Sequence, residues 1–198
     1  MIKLLRELAH TLHQGDKWLI LLAGLSLILV SFYIPRETEK LTYTINIPEQ
    51  TVKNSPWWGV TVDKEDLHCL SLNVYFEARN DNLKGQHAVA MVVMNRVLNL
   101  NYPDTVCEVI KHTRVHRLHG CQFSWYCDGL KDTPDLSNTL EREAWRRAKM
   151  VAENVVKGNF EQPYIPATHY HSTSVDPYWS DSMEFLSLIG QHKFYGEG

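Results

Sequence analysis

The chain has no block of basic residues, no internal repeat, no low-complexity tract and no C-x-x-C pair. Its 20 Lys and Arg stand scattered among 23 Asp and Glu in 198 residues, for a formal net charge of −3. That pattern supplies no electropositive field, so nucleic acid is not an expected partner. Without a C-x-x-C pair, the four cysteines Cys69, Cys107, Cys121 and Cys127 do not read as a zinc site. Their even number points to as many as two disulfides, with reduced structural thiols as the plain alternative. Four cysteines allow three pairings and spacing alone does not choose, although Cys121 and Cys127 are placed to bridge a short loop.

Long apolar runs are equally scarce, and only one is present. Trp18 to Ile34 reads WLILLAGLSLILVSFYI, uncharged and about the length that crosses a hydrocarbon core as a helix. No small-x-small cleavage site follows it, which favours an uncleaved anchor over a removed signal peptide. A buried core helix of this length would normally show a polar face. Lys3, Arg6 and Lys17 precede the run, so residues 1–17 are expected in the cytoplasm. Arg36 and Lys40 follow it, accompanied by Glu37 and Glu39. The expectation is a single-pass protein of the inner (cytoplasmic) membrane, anchored by residues 18–34, with the remainder in the periplasm or outside the cell. The dominance of Leu and Ile predicts stable insertion.

Residues 35–60 mix Thr, Asn, Pro and charges and read as a linker, with Trp57-Trp58 expected to pack against the domain that follows. Residues 61–198 form one domain of ordinary size. Asp63 is a helix N-cap, and Asp66 suits the third helical position. Leu67, Leu70, Val74 and Glu77 then fall on one helical face, so a carboxylate ends an apolar stripe. A second helix starts near Gly85 and is apolar nearly all round through Met94, which predicts a central buried helix. A third spans Thr139 to Lys157, capped by Asn138 with Glu141, lined by Leu140, Ala144, Ala148, Val151 and Val155, and stopped by Gly158. Residues 102–134 and those after Phe160 read as loops and short strands over this helical core. The fold class is therefore α+β, mostly α.

An acid that protonates a glycosidic oxygen needs its pKa raised by apolar surroundings. Glu77 has that setting: it ends an apolar face beside Tyr75 and Phe76, where desolvation and the helix dipole both disfavour the charge. The plainer alternative is a surface pair with Arg79 or Arg96. Asp81 is a possible second carboxylate if the helix continues past Ala78, and a cap for the next element if it has turned.

Residues 72–97, LNVYFEARNDNLKGQHAVAMVVMNRV, resemble the opening signature of the SleB-type cell wall hydrolases, the family that includes spore-cortex-lytic enzymes. The likeness continues through Tyr102-Pro103, Val106-Cys107, Gln122-Phe123-Ser124-Trp125, Ala167-Thr168-His169-Tyr170-His171, Pro177-Tyr178-Trp179 and Ile189 to Tyr195. It implies a small lysozyme-like catalytic domain, here behind an N-terminal transmembrane helix. The implied reaction cleaves peptidoglycan between N-acetylmuramic acid and N-acetylglucosamine, commonly as a lytic transglycosylase, with Glu77 as the acid and no cofactor or metal. Members often carry a second Glu four residues on, after Gly, where this chain has Asn80-Asp81. Hydrolysis by two carboxylates would enlist Asp81, whereas transglycosylation needs Glu77 alone.

For binding the polymer, Gln122, Phe123, Ser124 and Trp125 offer aromatic faces and amide-type groups in one loop, with His169, Tyr170, His171 and Trp179 as a second wall or, equally, as packed loop residues. Phe123 and Trp125 read equally well as core. Two other classes compete. A zinc peptidase or amidase would use His169, His171 and His192, or His112 and His116, but no Glu stands inside the HTRVH segment as its base, and ten histidines produce such spacings by chance. A membrane-tethered, non-catalytic peptidoglycan-binding module would suit the aromatic loops but has no use for an acid on an apolar helix face. An envelope-remodelling enzyme and a phage endolysin would share all these features.

Overall fold

The structure, a computed structural model, describes residues 56–113, 120–160 and 162–197. The apolar run 18–34, the linker as far as residue 55, and His116 lie outside these residues. No helix among the described residues is long and apolar enough to cross a membrane. Trp57 is 3% exposed and donates its indole N–H to Asn95 Oδ1 at 3.3 Å, whereas Trp58 is exposed. The packed domain thus already includes Trp57, ahead of the start expected at residue 61.

Helix α1 spans Lys64–Ala78 and begins where the sequence placed it, with the Asp63 carboxylate accepting from the Asp66 N–H at 2.8 Å. Leu70 and Val74 of its apolar stripe are fully buried. Helix α2, Leu83–Leu98, is capped by Asn82, which accepts from the Gly85 N–H at 2.9 Å. Every residue from Gly85 to Arg96 is buried, as the all-round apolar pattern of a central helix requires. A short helix α3, Val106–Lys111, stands where the sequence reads as loop. At six residues it is too short for periodicity to show, and the Thr105 cap is its only local signal. The Cys69–Cys107 disulfide joins α1 to α3, and Cys121–Cys127 closes a loop containing the 3₁₀ turn Ser124–Cys127.

Helix α4, Thr139–Val156, has the Asn138 cap, and Gly158 follows it at φ +73°. Ala144, Ala148, Val151 and Val155 are buried as the stripe predicts, but Leu140 is exposed. Glu141 takes the inner position in that first turn instead, accepting from the Tyr75 hydroxyl and lying 3.7 Å from Arg79 Nε.

Three antiparallel strands complete the domain: β1 His169–Ser172, β2 Glu184–Ile189 and β3 His192–Gly196, in the order β1-β3-β2. One face, carrying Tyr170 and Phe194, packs on Ala88, Val89 and Val92 of α2. Small side chains there let the sheet approach the helix closely. The Asn95-Arg96 pair fixes the approach to β1, because Asn95 Nδ2 donates to the carbonyls of Ile165 (2.9 Å) and Ala167 (2.8 Å), and Arg96 Nε donates to Thr168 O at 2.7 Å. These bonds satisfy buried backbone groups that the strand ladder does not.

The turn between α1 and α2 is held from two sides. Gln86 Nε2 donates to the carbonyls of Ala78, Arg79 and Asp81 at 3.0, 3.4 and 3.2 Å, covering the open end of α1. The Asp81 carboxylate accepts from the Asn82 N–H (2.7 Å), the Gln191 N–H (3.0 Å) and His192 Nδ1 (3.0 Å). A Cβ on Gly85 would lie 2.2 Å from its Oδ2, and one on Gly190 2.1 Å from its Oδ1. This gives a test of sign. Gly→Ala within a helix ordinarily stabilises by about 1 kcal/mol. Because Asp81 is held in place by three donors, Gly85→Ala is expected to destabilise instead, by at least about 1 kcal/mol in chemical denaturation.

Candidate active site

Glu77 sits one residue before the end of α1, half-buried, where the helix dipole opposes its negative charge. Burial raises its pKa; the hydrogen bond from Tyr170 and the charge of Arg96 pull the other way without cancelling it. The Tyr170 hydroxyl donates to Glu77 Oε2 at 3.1 Å. The anticipated surface pair with Arg79 is not formed. Arg79 lies over the Tyr75 ring, 5.1 Å from its centroid, and faces Glu141.

Arg96 is buried, with its guanidinium against the rings of Tyr102 (5.3 Å) and Phe123 (5.2 Å). With the Gln122 amide turned oxygen-inward, that oxygen accepts from Arg96 Nη1 and Nη2 at 3.1 and 3.2 Å. Burial lowers the pKa of Arg96, but a guanidinium has room to fall and still remain charged. It acts on Glu77 through space while its own donors go to Thr168, Gln122 and the Tyr102 hydroxyl.

Two hollows meet at Glu77. One, of about 240 Å³, is lined by Asn80, Asp81, Ser172, Gln191 and His192. The other, of about 370 Å³, is lined by Ser124, Trp125, Asp128, Leu130, Lys131 and Asp132. Both include Phe76, Glu77 and Arg79, so the carboxyl stands at the waist of a groove. Trp125 stacks on Phe76 with centroids 4.8 Å apart and planes 17° apart, and its Nε1 donates to Asn73 Oδ1 at 3.1 Å. A further hollow of about 320 Å³, between the start of α1 and α3, has an acidic rim of Asp63, Glu65 and Glu108 and no aromatic wall.

Of the residues singled out in the sequence, Gln122, Phe123, Ser124 and Trp125 do gather around this groove. Ser124 and Trp125 line it, while Gln122 and the buried Phe123 hold Arg96 from behind. Of the second expected wall, Tyr170 reaches the groove, whereas His169, His171 and Trp179 are elsewhere. Side chains alternate across a strand, and Tyr170 is the β1 residue that points to Glu77. His169 and His171 therefore lie on the other face, their rings 5.5 and 5.6 Å from that of Trp179. His171 is held by Ser172 O and the Tyr195 hydroxyl, both at 2.9 Å. His192 pairs in register with Ser172 and turns to Asp81, so it does not converge with His169 and His171 on a metal.

Asp81 takes neither of the two places open to it in the sequence, the face of Glu77 or the cap of the next helix. The helix has ended before it, Asn82 rather than Asp81 caps α2, and the Asp81 carboxylate is turned into the joint with Gln191 and His192. Sequence reasoning missed Asn73 and Gln191 as site residues. Tyr170 was grouped with its two flanking histidines, although strand alternation sends them to the opposite face.

A family model described as cell wall hydrolase matches residues 80–195. The chain belongs to the cell wall hydrolase family. This cell wall hydrolase is an enzyme that acts on peptidoglycan. The matched span opens at Asn80, just past Glu77, so the case for that carboxyl rests on its surroundings rather than on the family match. Two solved structures are similar. The catalytic domain of the germination-specific lytic transglycosylase SleB from Bacillus anthracis is 26% identical, with a TM-score of 0.51, covering 67% of this chain and 95% of that one. The catalytic domain of the Bacillus cereus SleB protein is also 26% identical, with a TM-score of 0.52, covering 69% and 93%. No curated protein matches the chain. The mostly helical fold with a small sheet is thus that of a SleB catalytic domain.

Proposed function

We propose that this cell wall hydrolase is a membrane-anchored lytic transglycosylase with Glu77 as its single acid and base. The observation that carries the reading is the setting of Glu77: a carboxyl whose pKa burial raises, standing where two hollows of a groove meet. An extended glycan lying along the groove would have one glycosidic bond over that carboxyl, with sugars on both sides. The likeness to the catalytic domain of a SleB lytic transglycosylase supports the same reaction.

In this mechanism the proton of Glu77 passes to the glycosidic oxygen, and the bond between that oxygen and muramoyl C1 breaks with its electron pair going to the oxygen. The muramoyl 6-hydroxyl then closes on C1 and returns its proton to Glu77. The products are a 1,6-anhydro end and a new non-reducing end, with no water consumed. Phe76, backed by the buried Trp125 stacked on it, gives sugar rings an apolar wall, and Gln191, Asn80 and Ser172 provide polar groups on the other side.

The muramidase alternative needs a second carboxylate beside the scissile bond. Asp81 is the candidate, but its side chain is 3% exposed and committed to His192, Gln191 and Asn82, which favours the single-acid route. The two disulfides suit an oxidising compartment outside the cytoplasm. They support the reading of residues 18–34 as an anchor with the catalytic domain exported. Mass spectrometry of fragments released from purified peptidoglycan tests the proposal: anhydro-muramic ends are expected, whereas reducing muramic ends would mean hydrolysis.

A further inference from the structure

The groups behind Glu77 are arranged in one direction. Tyr170 reaches the carboxyl from β1, with its ring edge-on to His192 at 5.3 Å and 5.7 Å from Phe194. Burial, helped by the negative charge of Glu77, pushes its ionisation well above the ordinary tyrosine value, so the hydroxyl keeps its proton and serves as a donor. Asn73, one turn before Glu77 on α1, is fully buried, and its Oδ1 accepts from Trp125. Its Nδ2 has no hydrogen-bond partner among the described residues and lies near enough to Tyr170 to favour negative charge on the phenol oxygen. The two oxygens of Glu77 are therefore not equivalent. Oε2 accepts from Tyr170, and Oε1 has no partner among the described residues.

We propose that Tyr170 is a positioning residue for the proton transfer: by donating to Oε2 it confines the transferable proton of Glu77 to Oε1, with the buried Asn73 amide close beside the phenol. This rests on Glu77 being the acid. In the first step the Oε1–H bond breaks as the proton joins the departing glycosidic oxygen; in the second, the proton of the muramoyl 6-hydroxyl returns to Oε1. Tyr170 keeps its own proton throughout.

Other charges also face the site. From α2, Arg96 favours the carboxylate; from the end of α1, Arg79 is turned to Glu141. Asp81 and His192 are paired at one end of the groove, and Asp128, Lys131 and Asp132 line the other. Replacing Tyr170 by Phe leaves all of these in place and keeps the ring contacts.

The test uses the full-length chain, with Glu77→Gln assayed alongside Tyr170→Phe. Tyr170→Phe is expected to lower kcat by about tenfold through lost orientation, with KM changed less than about twofold. Losing a hydrogen bond that favours the carboxylate raises the Glu77 pKa further, so the alkaline limb of kcat/KM should move up by about one pH unit. The ¹³C carboxyl titration of Glu77 should move with it. Asn73→Ala should shift the limb in the same direction by less, and it serves as the readout if Tyr170→Phe does not fold. A folded Tyr170→Phe with the wild-type alkaline limb and wild-type Glu77 titration overturns the positioning role while Glu77→Gln remains inactive. Wild-type activity in Glu77→Gln would instead remove the acid itself.

Discussion

Glu77→Gln is expected to slow fragment release from purified peptidoglycan by about 10²–10⁴-fold, the usual contribution of a positioned general acid. The same variant should gain stability at neutral pH. The folded-state pKa of Glu77 lies above its ordinary value of 4.5 because of burial. Below that ordinary value the carboxyl is neutral whether folded or unfolded, so wild type and variant should melt together. As pH rises past it, the unfolded chain releases a proton that the native state retains, and wild-type stability falls until pH passes the raised folded pKa. Thermal melts of both proteins at pH 3.5 and pH 7.5 read this directly. A catalytic group held in an unfavourable environment gives both effects. A surface carboxylate paired with Arg79 would give neither, and its loss would cost stability at neutral pH.

Asp81→Ala should have the opposite profile. It removes the acceptor for His192 Nδ1 and for the Gln191 and Asn82 N–H groups. Leaving a buried donor without its partner costs about 1–3 kcal/mol; this applies to His192, whereas the Asn82 and Gln191 N–H groups are exposed and can turn to water, so the domain should lose about 2 kcal/mol, or about 6 °C in Tm. Activity per folded molecule should fall far less than in Glu77→Gln, because Asp81 holds the joint between two turns and transfers no proton. The fragments released should keep the same ends. If Asp81 were the second carboxylate of a hydrolase, its loss would abolish turnover at a temperature where the variant is still folded.

The contrast between these two carboxylates shows what was legible in the sequence. Glu77 was readable because a helical face is a local property: Leu70, Val74 and Glu77 are fixed on one side by 3.6-residue periodicity, whatever packs against them. The caps at Asp63, Asn138 and Gly158 were readable for the same reason. Asp81 was not, because its role turned on whether α1 ran one turn further, and the answer lies in Gln86 reaching back to three carbonyls and in a β2–β3 turn 110 residues away in sequence from Asp81. The segment His169-Tyr170-His171 posed a different problem. Strand alternation lets only one set face the groove, and nothing in four residues says which. Packing decided it, because Phe194 and Tyr170 share the apolar face against α2 and the histidines are left to Trp179 and Tyr195. Arg96 was noted as a surface partner but is buried, since its neighbours Tyr102, Phe123 and Gln122 come from segments without periodicity.

The most direct test of the central claim, that one carboxyl cleaves the glycan without water, is to digest peptidoglycan in H₂¹⁸O with the full-length wild type and with Glu77→Gln, and to weigh the fragment ends. The account predicts anhydro-muramic ends free of ¹⁸O from the wild type and almost no fragments from the variant. Reducing muramic ends carrying ¹⁸O from the wild type would contradict it and identify a hydrolase.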